Sequence, residues 1–421
     1  MAEQGDRILN QPADIPKEPP AGTSPVSLSL CMIVKNEVEN LPKCLESAAS
    51  LVDEMVVMDT GSEDETVAIA QSFGAQVPFF EWVDDFSAAR NAALQYVTGD
   101  WVLVLDADER VAEAAIPQIR AVIQTPDALV VNLVRQEIGA IQSPYSLVSR
   151  LFRRHPDLTF NRPYHAMIDD SVEALRQQEP HWKIVDLPQV SLLHYGYEPG
   201  AIASRNKLNK ARFSMERFLA QNPGDPYACS KLGALYVQME RVTQGIELLE
   251  QGLRAKQVDP SVRYELCYHL GIAYSRMKHL EQAGQAYQQA IAQPILPQLK
   301  LGALINLGNL RQARADWQGA KVVYEEALAI DPNFAIAHTN LGIVLKAMGK
   351  FPEAIYHYQQ AIALQPNYAD AHQNLGVVLL KLGQVEAGLN AFRAAIALHS
   401  QHNPPEARRL QIGLESMGFT V

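Results

Sequence analysis

Cysteine is scarce in this chain of 421 residues: Cys31, Cys44, Cys229 and Cys267 are scattered, with none of the close spacing of a zinc ligand set. That excludes a disulfide-stapled scaffold and a cysteine metal centre, and reduced thiols in a cytoplasmic protein are the simplest expectation. Long apolar runs are missing too, and none approaches the ~20 residues of a membrane-spanning helix. Positive charge is in short supply, with 36 Lys and Arg against 47 Asp and Glu and a net charge of −11. Such a chain is poorly suited to gripping phosphate backbones, so no nucleic-acid partner is expected. Residues 1–26 are rich in proline and lack apolar periodicity. They read as a disordered leader, without the basic start and apolar stretch of a secretory signal.

What is present begins with Trp101 to Leu105, an apolar run followed at once by Asp106, Ala107, Asp108 and Glu109. A run without alternation is best buried on both faces, as in a parallel sheet, and such sheets bind ligands at the carboxyl ends of their strands. Two carboxylates at that point suit a hard cation such as Mg²⁺ or Mn²⁺ bridging to phosphate. The competing reading is a helix N-cap, because Val111 to Gln124 has helical spacing.

Upstream, Leu28 to Val34 and Met55 to Met58 are short β-rich runs, each ending in polar residues and followed by a helical pattern. Leu41, Leu45 and Ala48 mark the first helix; Val67, Ala70 and Phe73 mark the second, with Gly74 placed to stop it. A third unit runs from Gln76 through Phe80 into a helix from Ser87 to Tyr96, closed by Gly99. Strand alternating with helix predicts an open, doubly wound α/β sheet. Glu37, Asp59, Asp85 and Asp106 then fall at neighbouring strand ends, around one crevice.

Four strings carry a resemblance: Met32-Ile33-Val34-Lys35-Asn36-Glu37, Val56 through Thr66, Trp82 through Asn91, and Gly99 through Glu109. Together they resemble a family-2 glycosyltransferase of the GT-A fold over about residues 28 to 200. The likeness is strongest to the bacterial branch that carries tetratricopeptide (TPR) repeats, a branch that includes bacteriocin peptide S-glycosyltransferases. It implies a nucleotide-sugar donor, a UDP-sugar first, and a Mn²⁺ or Mg²⁺ cofactor. Glu37 and Asp59 would hold base and ribose, and Asp85, Arg90 and Asn91 would line the same pocket. Asp106 would touch ribose and metal, and Asp108 the metal. An ion pair with Asp84 or Asp85 is the plainer role for Arg90.

Ser149 to Pro156 and His194 to Tyr197 resemble later segments of the same branch. His194 follows the apolar run Val190 to Leu193, and the resemblance makes it a third metal-ligand candidate; a half-buried structural histidine is the alternative. Many relatives read His-Glu where this chain has His165-Ala166, so no role passes to that position. Inverting transfer, which the resemblance implies, needs a base beside the acceptor. Asp169 and Asp170 are the nearest acids, and in an extended segment only one of them faces the cleft. Asp170 is preferred, with solvated loop acids the alternative for both. A thiol acceptor would relax the demand for a base.

The second half is periodic. Asn306-Leu307-Gly308, Asn340-Leu341-Gly342 and Asn374-Leu375-Gly376 recur every 34 residues, the TPR period. Ala320, Tyr324 and Ala327 recur as Ala354, Tyr358 and Ala361, and then as Gly388, Phe392 and Ala395. Two looser copies centre on Leu232-Gly233 and Leu270-Gly271. The expected organisation is a leader to residue 26, a GT-A domain over 27–200, a connecting helix over 201–225 with a basic face of Arg205, Lys207, Lys210 and Arg212, five repeats over 226–402, and a capping helix over 403–421. The functional expectation is a metal-dependent inverting glycosyltransferase of the hexosyltransferase type, acting on a protein, peptide or glycan recruited by the repeats. The alternative is a non-catalytic TPR scaffold with a degenerate sugar-nucleotide fold. A nucleotidyltransferase is disfavoured, since Met32 to Asn40 lacks the glycine-rich loop with which that class opens.

Overall fold

The computed structural model describes residues 26–140, 142–162, 166–196 and 205–419. Among them seven strands form one sheet in the order β2-β1-β3-β6-β5-β7-β4: β1 Leu28–Val34, β2 Glu54–Asp59, β3 Trp101–Val104, β4 Glu109–Val111, β5 Ala128–Glu137, β6 Tyr145–Arg153 and β7 Lys183–His194. Helices α1 Leu41–Ala48, α2 Thr66–Ser72, α3 Phe86–Leu94, α4 Ile116–Val122 and α5 Asp169–Gln178 accompany it. The unbroken apolar runs are explained by burial on both sides. On one side Leu28, Leu30, Trp101 and Leu103 pack with Leu41, Leu45 and Ala48 of α1. On the other, Cys31, Val56, Val102 and Val104 pack with Ala93 of α3 and Phe152. Each leucine, valine or phenylalanine among them contributes roughly 1.5–3 kcal/mol on leaving water. Gly99 permits the close approach that starts β3: its N–H donates to Ser29 Oγ at 2.9 Å, and a Cβ there would stand 2.5 Å from that oxygen.

The expected α/β domain is present, and two local expectations, at Gln76 to Phe80 and at Val111 to Gln124, are corrected. The sheet is mixed: β1 runs parallel to β2 and β3, while β6 is antiparallel to β3 and β5, and β4 antiparallel to β7. Gln76 to Phe80 gives no full strand, only isolated bridges of Gln76 to Val56 and Phe79 to Asp59. The helix expected from Val111 to Gln124 shrinks to Ile116–Val122 behind a 3₁₀ turn at Glu113–Ala115, because Glu109–Val111 is taken up as an edge strand by β7. With a strand there, Asp106 to Glu109 cannot be the cap of a helix.

Helix α6 covers Arg205–Gln221, and consecutive helix pairs follow: α7 Pro226–Gln238 and α8 Val242–Leu253, α9 Pro260–Arg276 and α10 Leu280–Ile291, α11 Leu301–Ala313 and α12 Trp317–Ile330, α13 Ala335–Ala347 and α14 Phe351–Leu364, α15 Ala369–Lys381 and α16 Val385–His402. Helix α17, Pro404–Ser416, closes the series. Contacts divide the chain into two compact units, the first ending its main segment at Leu235 and taking in Arg254–Lys256 and Pro294–Leu299. In the second unit the 34-residue period has a steric cause. A Cβ on Gly342 would lie 2.6 Å from the Tyr358 ring, and one on Gly376 2.7 Å from the Phe392 ring, so each aromatic seats on a glycine. The four cysteines named above are unpaired and buried, and burial pushes their thiols up, to about 12 at Cys31 and about 11 at Cys229. Residues 1–25 of the expected leader, Tyr164, His165, Tyr197 and the side chains of Arg205, Lys207 and Lys210 lie outside the described residues; Arg212 pairs with Glu216 at 2.9 Å. No described helix is long and apolar enough to cross a membrane.

Candidate functional site

Beyond the end of β3 the chain turns tightly, the Asp106 N–H donating to Glu109 Oε2 at 2.9 Å. The turn sends Asp106 and Glu109 into a chain of charges. Arg90 Nη2 reaches Asp106 Oδ1 at 2.8 Å and Arg150 Nη2 reaches Asp106 Oδ2 at 2.5 Å. Arg150 also lies 3.6 Å from Glu109, whose side chain is fully buried and meets Arg135 at 2.6 Å. Arg135 continues to Glu137 at 2.8 Å. Glu137 Oε2 lies 2.5 Å from His194 Nδ1, and His194 Nε2 lies 3.2 Å from Asp108 Oδ2.

A bulge aims Arg150 into this chain. Val131 faces Leu151 but Leu133 faces Val148, so Ser149 and Arg150 together stand opposite Asn132. An extra residue in one strand bends it and redirects a side chain, a device common beside active sites. His194 is placed by the pairing of β4 with β7, which sets it opposite Glu109.

The charges tune one another. Burial alone would raise the Asp106 carboxyl; Arg150 and Arg90 overcome it and hold the group well below the usual carboxylate range. Burial opposes the charge on Glu137 as well, but the His194 hydrogen bond and Arg135 bring it down to about 2. Burial disfavours a protonated His194, yet Asp108 and Glu137 push it up to about 9. In this state the imidazolium lies between two carboxylates.

Asp108 and His194 thus converge from different strands, and the chain passes over them at Gly196 with no side chain in the way. A Cβ there would fall 2.6 Å from His194 Nε2 and 3.3 Å from Asp108 Oδ2. Nitrogen and oxygen donors 3.2 Å apart, with a carboxylate orienting the imidazole from behind, can hold a hard or borderline cation in place of the shared proton. Among the described residues no three His, Cys, Asp or Glu side chains form a metal-holding group, so water and substrate would complete the shell.

The other expected residues divide. Asp59 ends β2 beside β1, and its carboxylate accepts from the N–H groups of Gly61 and Ser62 at 3.1 Å each. Glu37 follows β1 and accepts from Asn40 Nδ2 at 3.0 Å. Asp85 caps α3 through the N–H groups of Ser87 and Ala88. Asn91 clamps both polar backbone atoms of Phe160, at 2.9 and 2.7 Å. Arg90 pairs with Asp106 rather than with Asp84 or Asp85, since the inner face of α3 turns it to the strand ends. The extended segment expected at Asp169 and Asp170 is the first turn of α5, so the two acids diverge as helical neighbours do. Asp169 turns to β6, 3.4 Å from Ser149 Oγ, while exposed Asp170 pairs with Arg162 at 3.2 Å. Arg135, Glu137 and Arg150 were not among the expected residues; of these only Arg150 lies in a string that carries the resemblance.

Residues 29–185 match the model of Glycosyl transferase family 2. The TPR repeat model matches residues 308–349 and 344–383, and the Tetratricopeptide repeat model 264–292 and 369–402. The TPR repeat-containing protein Synpcc7942_0270 of Synechococcus elongatus is 46% identical over 311 residues, which are 74% of this chain and 77% of that protein. The glycosyltransferase SunS of Bacillus phage SPbeta is 25% identical over 229 residues, 53% of this chain and about half of SunS, at 52%. Among solved structures, the TPR protein YrrB superposes with a TM-score of 0.37 at 18% identity over 45% of this chain and 93% of YrrB. The chain therefore belongs with the TPR repeat-containing protein of Synechococcus elongatus, and it carries a glycosyl transferase family 2 domain with TPR repeats behind it.

Proposed function

We propose that the chain moves a sugar from a nucleotide-diphosphate donor, a UDP-sugar first, to a protein, peptide or glycan acceptor recruited by the repeats, with inversion at the anomeric carbon. The observation that carries this is the Asp108–His194 pair at 3.2 Å, with Glu137 behind it, at the carboxyl end of the parallel strands. Mn²⁺ or Mg²⁺ fits Asp108 Oδ2 and His194 Nε2, and supplies Lewis-acid neutralisation of the diphosphate leaving group. Asp106 has both oxygens engaged by arginines and is better suited to accept from a donor hydroxyl than to ligate a cation. Glu37 and Asp59, at the adjoining strand ends, serve base and ribose. Asp85 and Asn91 serve the pocket through the backbone they hold rather than by touching the nucleotide.

For the base that takes the acceptor proton, helical geometry favours Asp169 over Asp170. Asp169 turns toward the sheet, whereas Asp170 is ion-paired with Arg162. A purified chain offered a panel of nucleotide sugars with Mn²⁺ or Mg²⁺ should bind one donor in a chelator-sensitive way and hydrolyse it slowly without acceptor. Equal binding with and without chelator would overturn the metal-dependent reading.

A further inference from the structure

A row of four polar side chains runs from β7 to the first turn of α5. Asn132 Nδ2 of β5 donates at 2.7 Å to Oδ1 of Asp186, its partner in the parallel register with β7. Ser149 Oγ of β6 donates to Asn132 Oδ1 at 2.9 Å and lies 3.4 Å from Asp169 Oδ1. Asn132 is buried, so its amide must find its partners inside the protein.

The direction of this row is fixed at one end. An ionised carboxylate only accepts, so Asp186 holds the Asn132 amide with its NH₂ toward β7 and its oxygen toward Ser149. Turning the amide over would set two acceptors against each other. A hydroxyl has a single hydrogen, and Asn132, the nearer acceptor, takes it. What Ser149 has left for Asp169 is a lone pair. An ionised Asp169 therefore goes without the Ser149 hydrogen or strips it from Asn132, whereas a protonated Asp169 donates to Ser149 Oγ and leaves all four hydrogen-bonded. Protonation adds one hydrogen bond to the row.

We infer that Ser149, Asn132 and Asp186 are positioning residues for the base, holding the Asp169 carboxyl and strengthening its grip on the proton that it takes from the acceptor. The inference rests on the reading of Asp169 as that base. As the acceptor atom bonds to the anomeric carbon and the diphosphate leaves with the electron pair of the old bond, the acceptor's proton passes to Asp169. Half a turn of the carboxyl presents the new O–H to Ser149, and the Ser149 hydrogen stays with Asn132. A base works best with its proton affinity brought toward the working pH, and a hydrogen bond made only by the neutral acid does that. The charged neighbours have partners of their own. Asp170 and Glu173 on α5 pair with Arg162 and Arg176, Arg150 on β6 is engaged by Asp106 and Glu109, and Asp186 is bonded by Asn132.

The test is a carbon-13 NMR titration of the full chain labelled at the aspartate carboxyls, with the Asp169 signal identified by its loss in Asp169→Asn. Asp169 should titrate above the ordinary aspartate value of about 3.9. Ser149→Ala removes the acceptor of its O–H and should lower the midpoint by about one pH unit, the equivalent of one hydrogen bond. Ser149→Thr keeps the hydroxyl and should restore the midpoint, which a loss of packing alone would not do. A wild-type midpoint at or below the ordinary value, or one that Ser149→Ala leaves in place, overturns the inference while Asp169 can still be the base. Sugar transfer as fast in Asp169→Asn as in the wild type overturns the base reading and this inference with it, whatever the titration gives.

Discussion

Glu137 stands behind His194, its Oε2 2.5 Å from Nδ1, so the nitrogen that faces Asp108 is Nε2. A carboxylate in that position fixes the tautomer of a metal-binding histidine and raises its basicity, and its loss costs roughly 10- to 100-fold in metal affinity. Glu137→Gln should therefore weaken Mn²⁺-dependent UDP binding by about that factor. Titrations with and without chelator decide it; an unchanged metal dependence would leave Glu137 a purely structural partner of Arg135.

The same pair sets a pH window in the metal-free protein. Folded His194 titrates near 9, above its ordinary value of 6.5, so its contribution is complete below about 6.5 and disappears as pH rises through 9. Chelator-treated protein should lose up to about 3 kcal/mol of stability across that window, and His194→Gln should lose the pH dependence. Urea unfolding at pH 6 and pH 9.5 reads the difference.

In the repeats the sign reverses. His357 sits with its Nδ1 2.9 Å from that of His338, and burial, followed by the His338 neighbour, pulls it down to about 4. Its contribution is present above pH 6.5 and is lost as pH falls through 4. Thermal melts between pH 7 and pH 4 should show the repeat unit softening, and His357→Gln should reduce the acid sensitivity. A mutant as acid-labile as the wild type would place the effect elsewhere.

Two glycines make a matched pair. Gly342→Ala forces a methyl against Tyr358 and should destabilise by about 1–3 kcal/mol. Gly413 lies inside α17, and a Cβ there would meet nothing within 4 Å, so Gly413→Ala should stabilise by about 0.5–1 kcal/mol. Melting temperatures that move the same way in both would contradict the steric account of the period.

Asp169→Asn should lower sugar transfer at least tenfold with donor binding intact, whereas Asp170→Asn should change transfer little, if general-base help is worth its usual ~100-fold or more. Initial rates with a saturating donor separate the two. A larger loss from Asp170→Asn would reverse the assignment.

Local signals made part of this legible. Trp101 to Leu105 announces a buried strand, so Asp106 and Asp108 could be placed at its end, and Val190 to Leu193 did the same for His194. Arg135 and Glu137 could not be found that way, because charged residues near a strand end ordinarily face water; only the partners of β5 make them interior. Arg150 depends on a register shift against Asn132, which no local pattern encodes. The spacing of Val111 to Gln124 suits a helix, and the edge of β7 claimed its first residue for the sheet. Asp85 and Asn91 show the limit of a motif: residue type was readable, but not that the Asp85 carboxylate accepts from the N–H groups of Ser87 and Ala88 and that the Asn91 amide bonds the Phe160 backbone.

The burial of Cys31, Cys44, Cys229 and Cys267 has a practical consequence. With every native thiol covered and hard to ionise, maleimide or iodoacetamide should leave the folded chain essentially unmodified near neutral pH. A single cysteine engineered at an exposed position would then carry a fluorophore without first stripping out the others. In a mixture with a cysteine-bearing peptide, the same reagents would count the peptide's free sulfur alone, giving a background-free assay for whether that sulfur is being consumed.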